Sequence, residues 1–520
     1  MPQGERAAPA CTTGARPCFR RQTFGEKMPR FLWFIIAVIG LVLGYLIYGK
    51  VVEKIFGADD SRKTPAVTKA DGVDYVTMPT WKVWLIQLLN IAGIGPVFGP
   101  ILGALYGPTA LLWIVLGSIF AGAVHDYCSG MLSVRYGGAN VPDVVGYNLG
   151  RIAKAAMGVF AVILLVLVGT VFATSPAHLL SNLVSEFSVS GFLDAYGMWL
   201  GVIFLYYFMA TLVPIDKLIG LIYPFFGFLL LFMCVSVTVA LFVEMPDQFY
   251  AWADFGAGNQ HPNASTSAPL WPLMFLTIAC GALSGFHSTQ SPLMARCLKK
   301  ETDGRKVFYG GMIAEGFIGL VWATVGMTFF DSPDSLLETI KQGTASKVVF
   351  DSCNSLLGVF GGALAVLGVV VLPITSGDTA FRAARLTLSD MFKFDQRPIA
   401  RRLAIAIPVL GIGVVLSQVN FTTIWNYFGW ANQTLAGIVL WAAAAYLMRK
   451  GKLHWIATLP AVFITAASIT FICWSPNLGF NIAIGTSQVI GAVFAVLCLI
   501  ALLAFGKRPV EGVPEEFKDA

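Results

Sequence analysis

About thirteen stretches, each close to the 20 apolar residues that carry a helix across a bilayer, follow one another along this 520-residue chain. They run Phe31–Tyr48, Trp81–Tyr106, Thr109–Val134, Ala153–Leu183, Tyr196–Pro214, Leu218–Val243, Leu270–His287, Val307–Phe330, Leu356–Leu372 with a polar extension to Leu388, Leu403–Gln418, Thr422–Met448, His454–Trp474 and Asn481–Phe505. Only 12% of residues are charged and 56% are hydrophobic, against about 25% charged in a soluble domain. A soluble fold of this length would lack a charged surface, which excludes a soluble enzyme, a nucleic-acid binder and a disordered scaffold. The net charge of +6 is scattered through short loops and makes no patch for nucleic acid. The nine cysteines form no C-x-x-C pair and mostly lie inside apolar runs, so they read as small core residues and not as a disulfide or zinc framework. The expected fold class is all-α and polytopic.

Loop charge sets the orientation. About 26 Lys and Arg fall in one alternate set of loops, whereas Lys341 and Lys347 stand in the other among Glu186, Asp194, Glu244, Asp247, Asp254, Asp331, Asp334, Glu338 and Asp351. The basic loops and the C-terminus are therefore expected in the cytoplasm, with the N-terminus outside. Residues 1–27 conflict with this, because Arg6, Arg16, Arg20, Arg21 and Lys27 should stay inside. The segment is also without hydrophobic period. We expect it to be disordered, and Met28 to be a candidate natural start.

After the first span, ten spans divide into two sets of five. An odd number inverts the second set, which is the arithmetic of an inverted repeat. The first span of each set is interrupted. One reads NIAGIGPVFGP over Asn90–Pro100, the other CGALSGFHSTQSP over Cys280–Pro292. Proline removes a donor and clashes with the preceding turn, and glycine adds chain freedom. The freed backbone groups cannot face lipid, so they line a cavity or contact protein. Matched interruptions point to a substrate site built from Gly93, Gly95, Pro96 and Gly99 with Gly281, Ser284, Gly285, Phe286 and His287. The alternative is that these residues only allow close helix packing. The chain divides into a tail (1–27), an extra span (28–50), a cytoplasmic loop (51–80), a first repeat (81–243), a second repeat (270–448), two further spans (454–505) and a cytoplasmic tail (506–520).

Several segments carry a family resemblance. These are TPA from Thr64 and DGVDY from Asp71, NIAGIGP from Asn90, AGAVHD from Ala121, TIACGALSGFH from Thr277, YGGM from Tyr309 and TSGDTAFR from Thr375. Together they resemble the carbon starvation protein A (CstA) family, in order, from about residue 31 to about residue 505. The resemblance implies a bacterial inner-membrane transporter of the amino acid–polyamine–cation superfamily with a LeuT-like core. It also implies peptide uptake during carbon starvation, or proton-coupled pyruvate uptake as in relatives.

Ionisable side chains inside a bilayer are costly and need a reason. His125 and Asp126 stand in the third run, where a His beside a carboxylate could relay protons or could simply bond a neighbouring helix. Glu315 follows the start of the eighth run, with helix-dipole stabilisation or proton coupling as its two readings. Thr375, Ser376, Asp378 and Thr379 follow Pro373, and in the LeuT-like plan their helix meets the broken first helix at a cation position. They could hold a proton or Na⁺, or Asp378 could pair with Arg382 one turn on. Asn432 and Gln433 in the eleventh run have two readings, helix-bridging amides or substrate contacts.

The expectation is a cation-coupled alternating-access transporter for peptides or a small carboxylate. It needs no cofactor beyond a coupling proton or Na⁺, and its partners are its substrate and the lipid. No H-E-x-x-H, G-x-S-x-G or G-x-x-x-x-G-K-[ST] motif occurs, which leaves a membrane-embedded enzyme or a channel as rival classes.

Overall fold

The computed structural model describes residues 29–71, 75–186, 195–212, 215–250, 252–394, 398–510 and 512–517. The expectations for residues 1–27, and the charges at Asp74, Asp194, Arg397 and Lys518, lie outside them. All regular structure among the described residues is helical. The thirteen apolar runs become α1 (Leu32–Phe56), α2 in two halves (Thr80–Ile91 and Gly95–Tyr106), α3 (Thr109–Arg135) and α4 (Arg151–Glu186). Next come α5 (Tyr196–Leu212), α6 (Ile215–Glu244), α7 in two halves (270–277 and Phe286–Ala295), α8 (Arg305–Thr328) and α9 (Pro333–Phe392). The last four are α10 (Ile399–Leu416), α11 (Phe421–Arg449), α12 (Trp455–Trp474) and α13 (Ile484–Phe505).

Burial sorts these rods by place. The apolar windows of α3, α8 and α11 are 78%, 83% and 89% buried, whereas those of α10 and α13 are about one-fifth buried. The poorly buried helices turn Val, Ile, Leu and Phe outward, as lipid-facing surfaces do. At the middle, α4 runs against α9, and the second half of α2 packs on α8.

Two local features depart from straight helix for visible reasons. Where α1 and α3 cross, each widens into a π turn, Gly44–Tyr48 and Ser118–Gly122. A π turn frees a carbonyl from the helical ladder, and the Tyr309 hydroxyl donates to Ile119 O at 2.9 Å and to Gly44 O at 3.4 Å. The second feature is α9. The apolar run predicts a helix from Leu356, but helical structure begins at Pro333 and turns twice, at Gly343–Thr344 and at Gly358. The stretch before Gly358 is rich in Ser, Thr, Lys and Asp, so hydropathy alone does not mark it.

The acid-rich loops share one end of the molecule. Arg30 donates to Asp247 O and the Trp33 indole to Tyr250 O, which ties the start of α1 to the 245–269 loop. The basic loops share the other end, where Glu301 accepts from Arg62, Arg135 and the Asp59 amide.

In the 245–269 loop, His261 stacks on Tyr106 with 4.9 Å between ring centroids, and its Nδ1 accepts the Asn263 amide at 3.0 Å. Burial pulls its pKa from 6.5 down to about 4. The folded loop therefore binds this proton less readily than the unfolded chain. Its stability is complete above about 6.5 and falls as pH drops from there toward 4. Amide-exchange protection over residues 259–268, corrected for the intrinsic pH dependence of exchange, should fall as pH drops across that window, and His261→Asn should flatten the change.

Candidate functional site

The two interrupted helices break alike. In α2 the ladder stops at Ala92 (φ −80°, ψ 55°), and the halves are bent by 50°. In α7 it stops at Ile278 (φ −92°, ψ 64°), and the chain passes through Gly281 at φ +87° before helix resumes at Phe286. Pro96 falls in the first turn of the second α2 half, where a missing N–H costs nothing and the fixed φ suits a helix start.

The breaks meet. A Cβ on Gly99 would lie 3.0 Å from Thr277 O, and one on Gly95 would strike the Cys280 side chain. Gly281 faces Pro96 and Pro100, and a Cβ on Gly93 would overlap the Phe172 ring of α4. Gly285 leaves no room for a side chain against the Asn432 carbonyl of α11. All nine residues assigned to the substrate site from sequence are buried here. The Phe172 and Phe286 rings stack edge to face at 5.9 Å beside Gly93, filling the space between the breaks.

The loosened backbone has side-chain partners. Ser118 Oγ donates to Gly281 O at 2.9 Å. Asn432 Oδ1 accepts the Phe286 amide at 2.7 Å, and Asn432 Nδ2 donates to Ser284 Oγ at 3.2 Å. Gln433 Nε2 donates to Phe275 O at 2.8 Å on the other side of the gap. The amides expected to bridge helices do so, at the α7 break itself.

Behind α7 lies a chain of four ionisable groups, each fully buried. Both Asp126 carboxylate oxygens meet an imidazole Nδ1 at 2.8 Å, Oδ1 that of His125 and Oδ2 that of His287. On its other side, His287 Nε2 stands 3.1 Å from Glu315 Oε2, close enough for a charge pair but misaligned for a hydrogen bond. The Cys280 thiol flanks this pair and bonds Ser284 Oγ at 3.4 Å. His125 and Asp126 come from α3, His287 from α7 and Glu315 from α8. Sequence reasoning singled out all four residues but put His287 with the substrate and the other three with the ion. Their proximity depends on contacts across 161 residues of sequence, which no local pattern records.

The α9 cluster behaves differently. Ser376 Oγ reaches Leu89 O in the first half of α2 at 3.3 Å, so α9 does touch the broken first helix. Thr375 and Thr379 instead donate to Leu372 O and Ser376 O of their own helix at 2.9 Å each. Asp378 pairs with Arg382 at 3.4 Å, and Arg382 also donates to Ala210 O.

An inverted pair of five-helix units, each opening with an interrupted rod and enclosing buried ionisable groups, defines the class: a polytopic membrane transporter with a LeuT-like fold. The chain belongs to the family described as Carbon starvation protein CstA, whose profile matches residues 30–190, 177–349 and 337–471. It is 49% identical over 354 residues to an uncharacterized membrane protein of Haemophilus influenzae, an alignment covering 60% of this chain and 95% of that one. It is 27% identical to the Escherichia coli protein named Peptide transporter CstA, over 86% of this chain and 81% of that one. Among solved structures it is similar to Mhp1, a nucleobase-cation-symport-1 family transporter in a closed conformation. That match has a TM-score of 0.51 and 12% identity, covers 82% of this chain and 92% of the other, and bears on the fold alone.

Asn432 supplies the test of how the α7 break is held. Asn432→Ala would strand the buried Phe286 amide and free Ser284, at a cost of about 1–3 kcal/mol. Thermal unfolding in detergent should show the loss, and Asn432→Asp, which keeps the acceptor for the amide, should recover part of it.

Proposed function

We propose that this chain imports peptides, or a small carboxylate such as pyruvate, across the bacterial inner membrane by alternating access. Its transport would be driven by a cation gradient and serve the response to carbon starvation. The observation that carries the reading is the meeting of two helix breaks with matching backbone geometry, Ala92 in α2 and Ile278 in α7. Half-helices at such breaks present amides to a carboxylate and carbonyls to an amine or cation. A peptide offers both ends to them. The names of relatives such as the Escherichia coli protein add the peptide class, and the biased loop charges support a cytoplasmic C-terminus.

In this reading substrate would occupy the region now filled where Phe172, Gly93 and Phe286 meet. Helices α2, α3, α7 and α8 would rock against the remaining six core helices. The coupling cation would be a proton, with Na⁺ as the alternative. The hydroxyls of Thr375, Ser376 and Thr379 with Asp378 are a proposed cation position beside the first break.

Purified protein in proteoliposomes decides between a transporter, a channel and an enzyme. A panel of di- and tripeptides, amino acids, lactate and pyruvate would be run under imposed proton and Na⁺ gradients. Saturable accumulation of one class is the expected result. Flux that neither saturates nor concentrates would favour a channel, and chemical conversion would favour an enzyme. Asp378→Asn should lower gradient-driven uptake on the order of tenfold, and more than it lowers exchange. Equal loss of both, or no loss, would remove Asp378 from coupling.

A further inference from the structure

We propose that His125, Asp126, His287 and Glu315 form the seat of a transported proton, shared between His287 Nε2 and Glu315 and released when the α7 break changes shape. The inference rests on the transport reading above and gives it a proton site distinct from the cation position at Asp378.

The hydrogen-bond inventory argues for it. Asp126 meets an imidazole Nδ1 at each oxygen. An ionised carboxylate only accepts, so both Nδ1 atoms carry hydrogen. That fixes the His287 tautomer and leaves its Nε2 to face Glu315. Without a further proton, a nitrogen lone pair would oppose a carboxylate at 3.1 Å, and the site would hold two buried negative charges. One added proton resolves both conflicts, as imidazolium against carboxylate or as imidazole against carboxylic acid. At 3.1 Å either form becomes a hydrogen bond once the two groups align, so the proton has two close resting places. Neither Glu315 oxygen has an aligned hydrogen bond, and His125 Nε2 has none either. Unmatched polar atoms at both ends of the connected chain leave each end a free position for a proton or a new partner.

The titratable groups facing this site are His125 and Asp126 from α3, Cys280 and His287 from α7, and Glu315 from α8. The nearby residues from α2 and α11, namely Pro96, Pro100 and Asn432, do not titrate. Among the described residues no Lys or Arg pairs with Asp126 or Glu315, in contrast to Asp378 with Arg382.

Position supplies the coupling. His287 is the second residue of helix after the α7 break, and the Phe286 amide before it is gripped by Asn432. Ser118, on the same helix as Asp126, holds Gly281 O within the gap. A substrate that reshapes residues 278–285 turns His287 relative to α3 and α8. Proton affinity and the state of the break are then linked in both directions.

The experiment compares wild type with Glu315→Gln, which keeps shape and removes the titrating oxygen. Substrate-driven proton entry is read with a lumenal pH dye, alongside substrate counterflow. The expected result is that wild type acidifies the lumen with substrate, while E315Q loses at least tenfold of that proton entry and its counterflow becomes pH-independent at a reduced rate. Infrared difference spectra between high and low pH give a second readout that needs no transport. A pH-dependent carboxyl or imidazole band should appear in wild type and be absent from E315Q. Proton entry persisting in E315Q, or identical difference spectra for wild type and E315Q, would overturn the proposal. So would saturable Co²⁺ binding with a thiolate charge-transfer band, which would assign Cys280, His287 and Glu315 to a metal. If wild type moves no substrate at all, the transport reading fails while the infrared titration still judges the site.

Discussion

Backbone amides and carbonyls have no partner in hydrocarbon, and the architecture of this protein follows from that constraint. Most of the described rods satisfy it through their own ladders, with the Tyr309 hydroxyl serving the π turns of α1 and α3. The two interrupted rods, α2 and α7, are turned inward, where Ser118, Ser376, Asn432 and Gln433 meet the groups near the breaks. A gap in a helix thus recruits polar side chains from its neighbours.

The same constraint explains the glycines. Gly99 beside Thr277 O and Gly281 beside Pro96 and Pro100 let two broken backbones approach within contact of one another. At Gly281 the left-handed φ is a second requirement, because side-chain-bearing residues rarely adopt it. Gly285 against Asn432 has the same function between α7 and α11. These contacts hold the two breaks together, with the aromatic pair Phe172–Phe286 packed beside Gly93.

The rods and the breaks were legible in the sequence because each is a local matter of composition. Twenty apolar residues announce a span, and NIAGIGPVFGP announces its interruption. The helical stretch from Pro333 to Gly358 was not legible, since its polar residues lie outside the apolar core that hydropathy detects. Individual members of the buried chain were visible as ionisable residues in apolar surroundings, but their partnership was not. Asp126 reaches His287 only because α3 packs against α7, with Gly122 leaving no room for a side chain against Ala282 O in the α7 gap and Gly130 giving the same close approach to Phe308 of α8. The hydroxyls of Thr375 and Thr379 illustrate the opposite case. Their sequence pattern suggested an oxygen cage, yet side chains of this type also return to carbonyls of their own helix, as both do.

Two acidic centres lie near the breaks, and their surroundings divide the labour between them. Asp378 has a guanidinium within 3.4 Å, on the same helix one turn away. Its charge is balanced whatever α2 and α7 do, so motion of the breaks changes its environment little unless Arg382 leaves Ala210 O. Asp126 and Glu315 sit on different helices with a single imidazole between them, and that imidazole belongs to the helix that breaks. Any rotation of the second half of α7 must stretch one of these two contacts. A fixed pair on one rod suits a structural anchor or a cation position that opens by side-chain motion, whereas a shared group on a moving half-helix suits a site whose proton affinity depends on conformation. The difference lies in which elements carry the charges, and the inverted-repeat plan fixes those elements before any side chain is chosen.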